Sequence, residues 1–444
     1  MDIFNYVKND KVFNSLHAID NKAIDLTSLR DFIHLGYVTG NRTIINDATC
    51  NINNSKFEAF SNISEHFLLS SQEDDKSSKE YILNGASIWN KAIERCLNSN
   101  SKKIVVPISG GLDSRLILGS LLEHVSPSEI TTYTFGIPGS FDYEIGNLVA
   151  KAVGTKHFSY DLNKIEVTEE KLKFFMHHTL CNSDLFTGPP LTELLNDIEQ
   201  DSIIWSGFMG DPSIGSHLPS VDAIKSVSGN FIENKEDYSR IKLLSQKLTK
   251  KNIIPPFYNF ENVNGEDSKI ELWDLQNRQS RYVTSQVFIK PFEYEVPFIN
   301  RDWLAFSLRL PKALRRNELF YKEFLINRYS SIFNLPVKCN LGTPLKSSLW
   351  SQLKINGQKA YNKVNKNYLK SKNINYVNFD QKLRENKPFY DLCSSLLCSF
   401  GERQYIDSSE IAQILQLQRS GVDCSRAFTL LASIELILQK NRLR

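Results

Sequence analysis

The sequence predicts an α/β protein with a doubly wound parallel sheet and a mainly helical C-terminal part. Three observations carry this expectation. A β-branched run, Ile104-Val105-Val106-Pro107-Ile108, has the composition of a strand buried on both faces of a parallel sheet. It ends in a glycine-rich string, Ser109-Gly110-Gly111-Leu112-Asp113-Ser114, which runs straight into an apolar helix over 115–122. Downstream, strand and helix signals alternate as they do in βαβ units with right-handed crossovers.

Taken in order, residues 1–85 are rich in Asn, Ser and Lys, lack a strong period and read as an N-terminal leader or linker region. Within it, the polar stretch over 70–78 reads as an exposed loop. A helical pattern comes next, through Ile82, Ile88, Trp89, Ala92, Ile93 and Cys96. The α/β domain is assigned to 86–218. It contains strands over 104–108, 131–136, 157–160 and 203–205, and helices over 115–122, from Asp142 as N-cap to Val153, and over 169–179. Residues 219–266, polar and carrying Pro255-Pro256, read as a loop-rich insertion. From 267 to 444 the spacing predicts helices over 269–286, 302–310, 318–333, 349–366 and 423–439. No internal repeat is visible.

Composition narrows the function classes. The chain has 444 residues, enough for two or three folding units at roughly 150 residues each. Its 53 Lys+Arg against 50 Asp+Glu leave a net charge of +3, which argues against a broad nucleic-acid surface built on neutralised phosphates. The most apolar run, over 428–438, is broken by Glu435 and is shorter than the ~18 residues a bilayer span needs, so no membrane partner is expected. With no basic-then-apolar leader, the expected location is cytoplasmic. The 7 cysteines include no C-x-x-C pair, and His177 and His178 are neighbours that point apart on a helix.

The chemistry concentrates at 109–114. Two consecutive glycines let the backbone turn sharply and present N–H groups to an anion, and the helix after them adds its positive end. Ser109 and Ser114 offer hydroxyl donors. Asp113 would repel bare phosphate but suits a Mg²⁺ ion lying between carboxylate and phosphate. Asp211, in Trp205-Ser206-Gly207-Phe208-Met209-Gly210-Asp211, also lies just after a strand end. In an open parallel sheet such ends face one crevice, so Asp113 and Asp211 are the predicted metal ligands. Arg278 and Arg281 share a helix face suited either to a carboxylate or phosphate or to structural ion pairs, and Arg115, directly after the loop, is placed either to touch phosphate or to pair with an acid.

The string at 109–114 resembles the pyrophosphate (PP) loop of N-type ATP pyrophosphatases, and its surroundings resemble the synthetase domain of class B asparagine synthetases. The similarity runs from about residue 24 to 345, through Thr134-Phe135-Gly136, Phe141-Asp142-Tyr143-Glu144, the 205–211 loop, Glu295-Val296-Pro297-Phe298-Ile299-Asn300 and Leu310-Pro311. This resemblance implies a PP-loop fold that binds ATP and Mg²⁺, transfers AMP to a carboxylate and lets an amine attack the adenylate. It implies ATP contacts from Ser109, Gly110, Gly111, Asp113, Ser114, Phe135 and Gly207. Lys338 and Lys346 are the candidates for the late lysine that such enzymes place near the adenylate, with Lys346, after a Gly-x-Pro turn, slightly preferred.

Departures from the family qualify this. Residue 2 is Asp where glutamine-dependent members carry a nucleophilic Cys, and Leu26–Ile44 already resembles the segment after their glutaminase domain. The expectation is therefore a synthetase without a glutaminase half. Its nucleophile would be ammonia or an amine, a separate glutaminase being one source, and its carboxylate a small molecule or peptide. Phe208 stands where relatives carry Glu or Tyr, so a proton acceptor must lie elsewhere or be unnecessary. The alternatives are a macrocyclase or lactam-forming synthetase, a tRNA- or nucleobase-modifying PP-loop ATPase, and a non-catalytic nucleotide-binding partner.

Overall fold

The computed structural model describes residues 4–20, 23–52, 63, 77–99, 102–218, 265–346 and 375–443. The chain opens with an antiparallel sheet of strands β1 (Phe4–Lys8), β2 (Lys11–Phe13) and β3 (Thr49–Ile52), ordered β2-β1-β3. Helix α1 (Leu26–Leu35) lies between them in sequence, capped by the Asp25 carboxylate and ended by Gly36 at φ 81°. Residues read as a leader therefore carry regular structure. They dock against the segment at 180–182, with Tyr6 Oη donating to Leu180 O at 3.1 Å and Val38 N donating to Asn182 O at 2.9 Å.

Helix α2 (Ser78–Asn98) starts at a capping box between Ser77 and Glu80 and buries Trp89, whose Nε1 donates to Ser120 Oγ at 2.8 Å. Then comes the central sheet: β4 (Lys103–Pro107), α3 (Asp113–Leu121), β5 (Ile130–Gly136), α4 (Phe141–Val153), β6 (Lys156–Asp161), α5 (Glu169–His178), α6 (Leu191–Asp197) and β7 (Ser202–Trp205). A fifth strand, β8 (Glu293–Glu295), completes an all-parallel sheet ordered β6-β5-β4-β7-β8. The α/β expectation holds, in an arrangement consistent with the PP-loop fold. Strand β8 escaped sequence reading because its three residues give no period to detect. The order reverses between β4 and β7, and there the carboxyl ends open a crevice.

Three expectations need correction. Ser140, not Asp142, caps α4: its Oγ accepts from Tyr143 N at 3.4 Å, and Asp142 lies within the first turn. The pattern over 269–286 is one continuous run of turns but not one α-helix. Helix α8 (Glu266–Trp273) passes into a π-helical stretch, Asp274–Val283, before a last α-turn at Thr284–Val287. The helix predicted over 318–333 divides into α10 (Leu319–Arg328) and a turn at Ser330–Phe333, after α9 (Arg301–Arg309). The helix predicted over 349–366 and most of the 219–266 insertion lie outside the described residues.

The C-terminal part adds α11 (Phe379–Glu385), α12 (Lys387–Glu402), α13 (Ser408–Arg419) and α14 (Ser425–Lys440). Helix α14 is buried almost all round, as its apolar run demands. The charge within that run, Glu435, is neutralised by Arg403, whose Nε lies 2.6 Å from Oε2. Thr429 and Ser433 of α14 both donate to the Asp184 carboxylate, tying the helical part to the connection between α5 and α6. Among the described residues, no helix is long and apolar enough to cross a membrane.

One buried ion pair organises the region beyond β7. Arg315 and Glu271 are 2% and 1% exposed, and Arg315 also donates to Ser213 O at 3.1 Å. The pair thereby fixes helix α7 (Gly210–Ile214) against α8. Glu271→Ala leaves the guanidinium buried without its counter-ion, so unfolding free energy should fall by about 3–5 kcal/mol. Chemical denaturation measures this; an unchanged midpoint would show that the pair contributes nothing net.

Candidate active site

The string 109–114 turns from β4 into α3, and its conformation is held by its own hydroxyls. Gly111 N donates to Ser109 Oγ at 3.2 Å, and Ser109 N donates to Ser114 Oγ at 3.3 Å. Both serines are thus at the loop, as expected. Gly110 is required by crowding: a Cβ there would sit 2.9 Å from Phe141 O and 3.2 Å from Lys338 Cβ. The Gly110 carbonyl accepts from Lys338 N at 2.9 Å, so the loop is clasped by a segment more than two hundred residues away.

The loop after β7 meets it. A Cβ on Gly207 would lie 3.1 Å from Asp113 Cβ, and one on Gly210 would lie 2.2 Å from Asp113 Cγ. Met209 between them adopts φ 69°, in the left-handed region. With both glycines giving way, Asp211 N reaches Asp113 Oδ2 at 3.1 Å. Tyr321 Oη donates to the other oxygen, Oδ1, at 2.7 Å. Asp113 and Asp211, 98 positions apart, therefore share one crevice at the reversal point of the sheet.

Electrostatics stem from that proximity. Burial holds the Asp113 carboxyl well above its ordinary range, and the Asp211 and Glu318 charges push the same way while the Tyr321 hydroxyl opposes them. Asp211 is raised first by burial, with Glu318 and Asp274 adding and His217 opposing. Burial would lower His217, but its 2.7 Å bond to Asp274 and the charge of Asp211 more than offset this and leave it raised. Glu318 is presented by a turn in which Asn317 and Glu318 both have positive φ, 55° and 59°.

The other residues singled out by sequence are spread around the crevice. The Lys338 ammonium lies 2.5 Å from Asp142 Oδ2, beside the loop, whereas Lys346 is exposed beyond the 343–344 strand. Phe135 is the penultimate residue of β5, and its carbonyl accepts from Asn375 Nδ2 at 3.3 Å. Phe208 is buried edge-on against Phe288, with ring centroids 5.2 Å apart. Arg278 lies 4.0 Å from Asp274 and over the Tyr282 ring; the Arg281 side chain lies outside the described set. Arg115 turns away from the loop. It is fully buried and donates to the carbonyls of Ile332, Leu335 and Pro336, which makes it a support for the strand leading to Lys338, not a phosphate contact.

Sequence reasoning missed Tyr321, Glu318, His217, Asp274 and Asn375. Each reaches the crevice through tertiary packing alone, and none sits in a distinctive string.

Two carboxylates held together at a cost in burial and mutual repulsion make a testable signature. A raised folded pKa means the native state binds more protons than the unfolded chain between about pH 3.9 and the folded value, so stability drops as pH rises through that window. Asp113→Asn removes the repulsion. The variant should therefore unfold at higher denaturant concentration than wild type at pH 8, with the gap closing towards pH 4. A variant less stable than wild type at pH 8 would contradict the strain assigned to this pair.

A search among curated proteins gave no match to the chain. Residues 87–182 match the family model described as asparagine synthase, a stretch that begins in α2 and takes in β4, the 109–114 loop, β5, β6 and α5. Over those residues the α/β core is similar to the synthetase domain of asparagine synthetases, a family of ATP-dependent, amide-forming ligases.

Proposed function

We propose that this chain is an AMP-forming carbon–nitrogen ligase, which adenylates a carboxylate and converts it to an amide with ammonia or an amine. The observation that carries the reading is the interlock of the two strand-end loops, which sets a glycine-rich anion-binding turn and a helix N-terminus beside two converging carboxylates.

In this reading the backbone N–H groups of Gly110 and Gly111, with the hydroxyls of Ser109 and Ser114, receive the polyphosphate, and Phe135 and Gly207 border the nucleotide. The donor set of Asp113 and Asp211, hard oxygens that repel each other without a cation, fits Mg²⁺. Among the described residues no three His, Cys, Asp or Glu side chains converge on one point, so the remaining ligands would be phosphate and water oxygens. Bound there, Mg²⁺ would offset the charge on the departing pyrophosphate.

The substrate carboxylate attacks the α-phosphorus and the bond to pyrophosphate breaks. The nitrogen nucleophile then attacks the acyl carbon and AMP departs. Tyr321 and the Asp211 amide keep the Asp113 carboxylate oriented through both steps. Lys338, clasped to Gly110 and neutralised by Asp142, is the better placed of the two candidate lysines to meet charge at the adenylate.

Pyrophosphate release from ATP and Mg²⁺ over a set of carboxylates tests this. Asp113→Ala and Asp211→Ala should each lower the rate about 10²-fold or more. Full turnover in either variant would overturn the site assignment.

A further inference from the structure

His217 and Asp274 form a second constellation in the same crevice. His217 comes shortly after the metal-loop helix α7, and Asp274 opens the π-helical stretch, an irregularity often found at functional sites. The Nδ1 atom of His217 lies 2.7 Å from Asp274 Oδ2, with the side chains 30% and 15% exposed. Gln279 Nε2 donates to the same oxygen at 3.0 Å and fixes it in place. A carboxylate can only accept, so Nδ1 carries the ring proton and Nε2 keeps its lone pair. The charged groups facing the imidazole are Asp274 and Arg278 on the π-helical stretch and Asp211 on the loop after β7. Asp274, hydrogen-bonded to Nδ1, stabilises the protonated ring once a proton is taken. The buried Arg315–Glu271 pair joins Ser213 of α7 to α8, and so brings the segments carrying the two residues together.

We infer that the His217–Asp274 dyad is the general base that deprotonates the incoming amine. The inference rests on the ligase reading above. A protonated amine gives one proton to His217 Nε2, and Asp274 stabilises the imidazolium. The neutral nitrogen forms the C–N bond with the acyl carbon, the bond from that carbon to the AMP oxygen breaks, and the second proton passes to water. This supplies the proton acceptor that Phe208, an apolar ring, cannot be.

The test separates adenylation from aminolysis. Wild type and His217→Gln are given ATP, Mg²⁺ and each of L-aspartate, L-glutamate, β-alanine and citrate. Exchange of labelled pyrophosphate into ATP reports adenylation. Amide formation is followed with ammonium chloride and with hydroxylamine, which is already neutral at pH 7 and needs no base. The expected result is unchanged exchange, amide formation from ammonium down by about 10²-fold or more, and hydroxamate formation near the wild-type rate. The variant's ammonium reaction should also lose the rising limb of its pH profile that belongs to an imidazole. Equal losses with both nucleophiles, or no loss with ammonium, would overturn the base assignment. Wild type without exchange on any of these carboxylates would sink the ligase reading, and the dyad's role with it.

Discussion

The site depends on how closely two strand ends can approach. Asp113 begins a helix after β4, and the chain after β7 must pass within van der Waals distance of its side chain. At 210 a Cβ would overlap the Asp113 carboxyl, and at 207 it would be a tight contact, so glycine suits both positions. Once the loops are that close, the Asp211 amide donates to one oxygen of Asp113, the hydroxyl of Tyr321 donates to the other, and the Asp211 charge acts on the Asp113 carboxyl. A methyl group at 210 would drive the Asp113 carboxyl aside, and one at 207 would require the loops to give by a few tenths of an ångström.

The crevice is electrostatically expensive and its walls are built to hold it. The charges of Asp211 and Glu318 lie near enough to raise Asp113, and those of Glu318 and Asp274 to raise Asp211, inside a region of buried aromatic and aliphatic side chains. Such groups would separate if the scaffold allowed it. Arg115 pins the carbonyls of 332–336, Arg315 pins α7 to α8, and Asn300 caps α9 directly after β8 and its neighbours. Local destabilisation of this kind is characteristic of sites that bind a charged ligand rather than of structural surfaces.

Much of the fold was legible in sequence because the central strands are apolar and bounded by glycine-rich turns. Ile104–Ile108, Thr131–Gly136 and Ile203–Trp205 could be placed within a residue or two, and the loops after the first and the last pointed to Asp113 and Asp211. The small strand β8 and the N-terminal sheet could not be placed, because β8 pairs with β7 and β1 with β3 at a distance in sequence and not through a local period. The π-helical stretch was covered by the helix expected over 269–286, with only its wider turn undetected. Glu435 looked like a break in an apolar run, but it is a buried charge whose partner, Arg403, lies on another helix end. In the site, strings with their own signature were found, whereas Tyr321, His217 and Asp274 were not, because isolated tyrosines, histidines and aspartates carry no pattern.

The clasp on the loop also bears on how the molecule comes to be. Contacts that complete the crevice join residues 98, 208 and 221 positions apart. The stretch 87–182 can form its strands and helices from nearer neighbours, but it contains neither Asp211 nor Tyr321 nor Lys338. Closing loops of this length costs chain entropy that is recovered only when the distant segments have packed. The glycine-rich turn should therefore reach its final geometry late in folding, after synthesis has passed residue 338. A shorter product of the same chain would carry the recognisable motif without a working crevice.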